Sequence, residues 1–139
     1  MKKVMLLLIA IAFIATAATT KLSSLTKNST NTTELSDKTK ACILACNICV
    51  SSCLKVQAMY TKNEKMKMME CNKLCKECVI ACTKSVKAMQ LNDPKYKEKC
   101  LESAKICNKC ATECDKFNSA ECKNCAIDCR SAAKHCMEM

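Results

Sequence analysis

The fold class this chain predicts is an all-α, antiparallel up-down-up-down four-helix bundle with a cysteine-lined core, and three observations predict it. Its 16 cysteines fall in four blocks, most of them three or four residues apart within a block. The chain holds no glycine and a single proline, so tight turns have little to be built from. Aromatic residues are rare, whereas the good helix formers Ala, Lys, Glu, Met and Leu abound. The cysteine spacing places each block on one face of one helix, at positions where a bundle normally keeps leucine.

Two segments precede the bundle. Lys2 and Lys3 lead into an apolar run at residues 4–15, and Ala15-Thr16-Ala17 offers a small-residue cleavage site. Residues 1–17 therefore read as a secretory signal peptide. The run is short for a membrane span, which needs about 20 apolar residues, so no membrane attachment is expected once the signal is cleaved. With no twin arginine, a general secretory route is expected. Residues 18–35 are rich in Ser, Thr, Asn and Lys, and their few apolar groups cannot offset the entropy of ordering, so they read as a flexible leader.

The bundle itself is expected over residues 36–139. A first helix over about 37–60 starts at Ser36-Asp37. A second, over about 62–91, follows a capping box of Thr61 with Glu64. Asn92-Asp93-Pro94 puts an aspartate at the cap and proline at the first helical position of a third helix, about 94–117. Asn118 with Glu121 caps the fourth, about 119–137. Connections of a few residues make neighbouring helices antiparallel.

The four blocks are Cys42, Cys46, Cys49, Cys53; Cys71, Cys75, Cys78, Cys82; Cys100, Cys107, Cys110, Cys114; and Cys122, Cys125, Cys129, Cys136. The first two share the spacing C-x3-C-x2-C-x3-C and the others vary it, so the halves read as a duplicated helical hairpin. Threaded antiparallel, the cysteines stack in tiers: Cys53, Cys71, Cys114, Cys122; then Cys49, Cys75, Cys110, Cys125; then Cys46, Cys78, Cys107, Cys129. Next, Cys42 and Cys82 face Ser103 and Ala132. Cys100 and Cys136 end the column opposite Thr39 and Ser85.

Cysteine is much smaller than leucine, and unfilled core volume costs about 24 cal/mol per cubic ångström. Thiolate-bound metal would occupy that volume directly. Side chains at i,i+3 and i,i+4 have Cβ atoms about 5 to 6 Å apart. Two thiolates bound linearly to one ion at about 2.3 Å, a zinc-thiolate length, need sulfurs about 4.6 Å apart. Copper(I) is soft and accepts such low coordination, whereas four cysteinates closing on one zinc leave a charge of minus two in a poorly solvated core. One Cu(I) per thiolate is neutral, which implies on the order of 16 ions and a storage role.

The C-x3-C-x2-C-x3-C helices, the four-block layout and the export signal resemble the bacterial copper storage proteins over about residues 36–139. That resemblance implies that multiple Cu(I) ions are held by the 16 inward-facing cysteines. It also implies accumulation of copper for cuproenzymes or sequestration of an excess, with copper-delivery proteins or cuproenzymes as partners. The chain departs from some exported relatives in lacking a twin-arginine signal. Combined with the signal peptide, the resemblance points to the bacterial periplasm.

Methionine and histidine are further soft or borderline ligands. Met89, His135 and Met139 gather at one end of the bundle, where they could admit copper; methionine as gap filler and histidine at a helix C-terminus are the plainer reading. Val56, Met68 and Phe117 would plug the other end. The rival function is an exported structural or interaction protein stapled by disulfides, favoured by the even cysteine count and an oxidising compartment; such hairpins need about two cysteines per helix, not four on a continuous stripe. Zinc or iron-sulfur binding is a third reading. One histidine and no locatable carboxylate pair or activated nucleophile argue against an enzyme. The net charge of +10 is spread evenly, without the aromatics and arginines of single-strand binders, which argues against nucleic acid. Glu77, Glu102, Glu113 and Asp128 read as solvated helix faces.

Overall fold

The computed structural model describes residues 34–60 and 68–139. The signal peptide, most of the leader, and the capping pair of Thr61 and Glu64 lie outside the described residues. Among those described, the chain forms four helices and no strand: α1 (Asp37–Met59), α2 (Met69–Gln90), α3 (Tyr96–Cys114) and α4 (Ala120–Met137). Each helix packs on two neighbours, in the cycle α1, α2, α3, α4 and back to α1. Every neighbouring pair is antiparallel: Cys71 meets Cys114, Cys75 meets Cys110 and Cys78 meets Cys107, with one set of numbers rising as the other falls.

The helix ends have local causes. Ser36 caps α1, its hydroxyl accepting from the Thr39 amide at 3.2 Å. Helix α2 ends in a Schellman motif, with the Asp93 amide donating to the Ala88 carbonyl (2.9 Å) and the Asn92 amide to that of Met89 (3.3 Å). Asn92 takes the left-handed conformation the motif requires, at φ 50°. Asp93 then accepts from the Lys95 amide through Oδ1 and from the Tyr96 amide through its carbonyl, both at 2.8 Å. That tight turn uses up residues 94 and 95, so α3 starts at Tyr96 and not at Pro94. The cap of α4 is Ser119, which accepts from the Cys122 amide at 3.2 Å; the side chain one residue after Asn118 has the reach.

The core is a column of sulfur. All 16 cysteines are 0–1% exposed, and small alanines, Ala104, Ala111, Ala126, Ala132 and Ala133 among them, fill the helix-to-helix seams. Helices α2, α3 and α4 keep the register read from the spacing. Helix α1 does not. Cys53 joins Cys75, Cys110 and Cys125 in place of Cys71 and Cys114, and Cys49 lies 3.4 Å from both Cys78 and Cys129 in place of Cys75 and Cys125. The whole helix has slid by one cysteine step, about one 5.4 Å turn. Nine residues separate α1 from α2, against five between each later pair, so only the first register is free to slip.

Helix α1 has no charged side chain between Lys40 and Lys55 and is long and apolar enough to cross a membrane, by length and composition. Its inner face is cysteine, and its outer face carries the exposed Leu44, Ile48 and Leu54.

Candidate metal centre

The thiols form five close groups. Within each, the sulfurs all lie within 4.8 Å of one another: Cys71, Cys75, Cys114; Cys53, Cys75, Cys110, Cys125; Cys49, Cys53, Cys78, Cys129; Cys49, Cys78, Cys82, Cys107; and Cys42, Cys100, Cys136. The first four share members and merge into one continuous cluster. Cys42, sliding with α1, arrives beside Cys100 and Cys136 and completes a three-thiol site where the spacing put only two cysteines.

Individual contacts are non-bonded. Cys78 and Cys107 approach to 3.3 Å, Cys71 and Cys114 to 3.5 Å, Cys75 and Cys110 to 3.6 Å, and Cys53 and Cys125 to 3.6 Å. A disulfide needs about 2.05 Å, and all 16 cysteines are free thiols. Three thiolates sharing one ion at about 2.3 Å would stand about 4.0 Å apart, and two in a linear pair about 4.6 Å. The quoted contacts lie somewhat below that range and the groups as a whole stay within 4.8 Å, so the thiols have to spread by about an ångström to take in ions.

Neighbouring sulfurs set each other's protonation. An S–H donated by Cys114 holds Cys71 down to about 4, and the Cys107 thiol does the same for Cys82, holding it at about 6. The partners that keep their protons, Cys114 and Cys107, are pushed up in turn. Burial raises Cys122. Cys42 is lowered by Cys100 first, with the nearby charge of His135 adding to the effect. The thiolate is the metal-binding form, so the column mixes ready ligands with thiols that must release a proton.

Met89 is buried and belongs to the core, Met139 packs against that core, and His135 is half-buried with Nδ1 2.9 Å from the Ser131 carbonyl oxygen. Val56 and Met68 are buried, and Phe117 is half-buried against the core. Two polar features were not read from the sequence as functional. Asp128 is no solvated surface carboxylate: it accepts from the hydroxyl of buried Ser52 and ties α4 to α1. Ser85 and Ser103, both fully buried, bond to each other at 2.8 Å across α2 and α3. Serine in place of alanine at a stripe position was the available signal.

A family model described as copper storage protein matches residues 28–139. The chain belongs to the copper storage protein family. Two solved structures in that family are similar to it. Cu(I)-bound copper storage protein BsCsp3 has a TM-score of 0.69 and 34% identity, covering 74% of this chain and 98% of that one. The apo form of copper storage protein 3 from Bacillus subtilis has a TM-score of 0.66 and 36% identity, over 72% of this chain and 96% of that one. No curated protein matches the chain significantly.

Proposed function

We propose that this chain stores Cu(I) in bulk, using all 16 cysteines of the column as thiolate ligands, to a capacity of about one ion per thiol. The observation that carries this reading is the merging of four buried thiol groups into one unbroken cluster. Bridging thiolates let one sulfur serve two ions, which keeps the loaded interior near neutrality and fills volume that side chains leave empty. BsCsp3, seen with Cu(I) bound, supports the same cargo here.

Copper is admitted at the end carrying Met89, His135 and Met139. There the Cys100, Cys136 and Cys46 thiols favour a thiolate at Cys42, and thioethers and an imidazole are ligands weak enough to hand the ion on. Val56, Met68 and Phe117 close the other end with apolar side chains. Residues 1–17 direct export to the periplasm and residues 18–35 form the leader. Thiols there would oxidise unless metal captures them, so delivery by a copper-carrying protein has to outpace oxidation. The stored copper supplies cuproenzymes or is sequestered as an excess, without membrane or nucleic-acid partners.

Anaerobic titration of Cu(I) into the reduced full chain, against a competing Cu(I) chelator, tests the proposal. A capacity of about 16 ions with tight binding is expected. Four zinc-like sites, or eight disulfides indifferent to copper, would overturn it.

A further inference from the structure

The column is one cluster and one outpost. The group of Cys42, Cys100 and Cys136 shares no thiol with the other four groups, which are chained through Cys49, Cys53, Cys75 and Cys78. Between them lies the level at which α3 and α4 offer Ser103 and Ala132 in place of cysteine. Ser103 is committed to Ser85, and a hydroxyl oxygen is a hard, poor ligand for Cu(I). Ala132 offers no donor at all.

Sulfur crosses that level chiefly at Cys46. It belongs to none of the five groups, yet its Sγ lies 3.5 Å from Cys136 on the outer side. On the inner side it precedes Cys49 by three residues on the same face of α1, and Cys49 lies 3.4 Å from Cys78 inside the main cluster.

We infer that Cys46 is the relay through which Cu(I) passes between the outer three-thiol site and the inner store. The transfer is an associative exchange. A bond forms from copper to Cys46 sulfur as the bond to Cys136 breaks, and the proton leaving Cys46 goes to the Cys136 thiolate that is freed. Copper remains Cu(I), and no electrons are exchanged. The inference rests on the copper storage reading but not on which end admits the ion.

The test follows Cu(I)-thiolate absorbance after anaerobic mixing of the reduced full chain with chelator-bound Cu(I). Cys110→Ser, which removes one thiol from inside a shared group, is expected to lose a little capacity and fill in one phase. Cys46→Ser is expected to fill in two phases, the slower retarded by about tenfold or more, because copper must cross a gap without a bridging ligand. A slow phase holding most of the copper supports the relay with admission at the His135 end. One holding only the share of three thiols supports the relay with admission at the opposite end. Filling in one phase at the rate of Cys110→Ser would overturn the relay.

Adding Ala132→Cys to Cys46→Ser restores a sulfur to the bare level from another helix and is expected to bring back fast single-phase filling. Persistent slow filling in that double variant, with an unchanged melting temperature, would mark the effect of Cys46 as structural and overturn the inference. If Cys46→Ser does not fold, Cys46→Ala replaces it. Failure of every form to bind copper would instead refute the storage function itself.

Discussion

The sulfurs of Cys78 and Cys107 stand 3.3 Å apart across the interface of α2 and α3, and Cys107 also reaches Cys82 at 3.5 Å and Cys49 at 4.0 Å. One side chain therefore serves three helices. Cys122, at the far end of the column, belongs to no close group. Replacing Cys107 by serine is expected to remove about two or three coppers, and replacing Cys122 about one, because a bridging thiolate completes several sites at once. Copper per chain after chelator challenge measures the difference.

The slide of α1 leaves Val56, and not Cys53, as the α1 side chain at the level of Cys71, Cys114 and Cys122. Val56 is 1% exposed and lies in the same core. Val56→Cys should raise capacity by about one ion, since it completes a four-sided thiol tier. An unchanged copper count would refute the observed register.

Copper should stabilise the fold strongly. The apo core is made of cysteine and alanine, which pack little volume along the axis. Each site held at about 1,000 times its Kd adds about 4 kcal/mol, and 1 kcal/mol moves the melting temperature of a domain this size by about 4 to 8 °C. Full loading is expected to raise the melting temperature by more than about 15 °C, and a chelator to reverse the gain. Calorimetry on apo and loaded protein decides the matter.

Alkaline pH should weaken the apo bundle. Burial pushes the Cys122 thiol above its ordinary value of 9.0. A group whose folded value is raised contributes stability below its unfolded value and loses that contribution as pH climbs through the folded one. The window is therefore above about pH 9, where ionising a buried thiol costs desolvation energy. Apo protein should melt at lower temperature from pH 9 upward, while copper-loaded protein, whose thiolates are already neutralised, should not. For the same reason loading near neutrality should release protons, measurable in weak buffer, and tighten as pH rises.

The connection between α2 and α3 depends on Asn92 at φ 50°. Asn92→Gly should keep or slightly raise stability, and Asn92→Val should cost about 1 to 2 kcal/mol, because a β-branched residue resists the left-handed region. Urea unfolding of the two variants checks this, with copper capacity unchanged in the glycine variant.

Much of this molecule was legible before any coordinates. The period of three and four in each cysteine block specifies both a helix and the face it buries, and burial of all 16 thiols follows from that single pattern. The turn at Asn92-Asp93-Pro94 was legible as a break because its residues have restricted backbone preferences. Its Schellman geometry, and the two residues it takes from the start of α3, were not, since they depend on which carbonyls at the end of α2 remain free. Asp128 reads from the sequence as a solvated carboxylate, and its bond to the Ser52 hydroxyl exists only because α1 and α4 come together.

Local spacing alone determined four helices, their sulfur-bearing faces and a soft-metal chemistry, because helical periodicity is a property of consecutive residues. Only packing decided which thiols meet. A step of one turn along α1 leaves its cysteine face inward and costs nothing in local preference, so the choice fell to how the four faces fill their shared axis. That choice set Cys42 beside Cys100 and Cys136, left Cys46 between two thiol stores, and put Val56 at the end of the column.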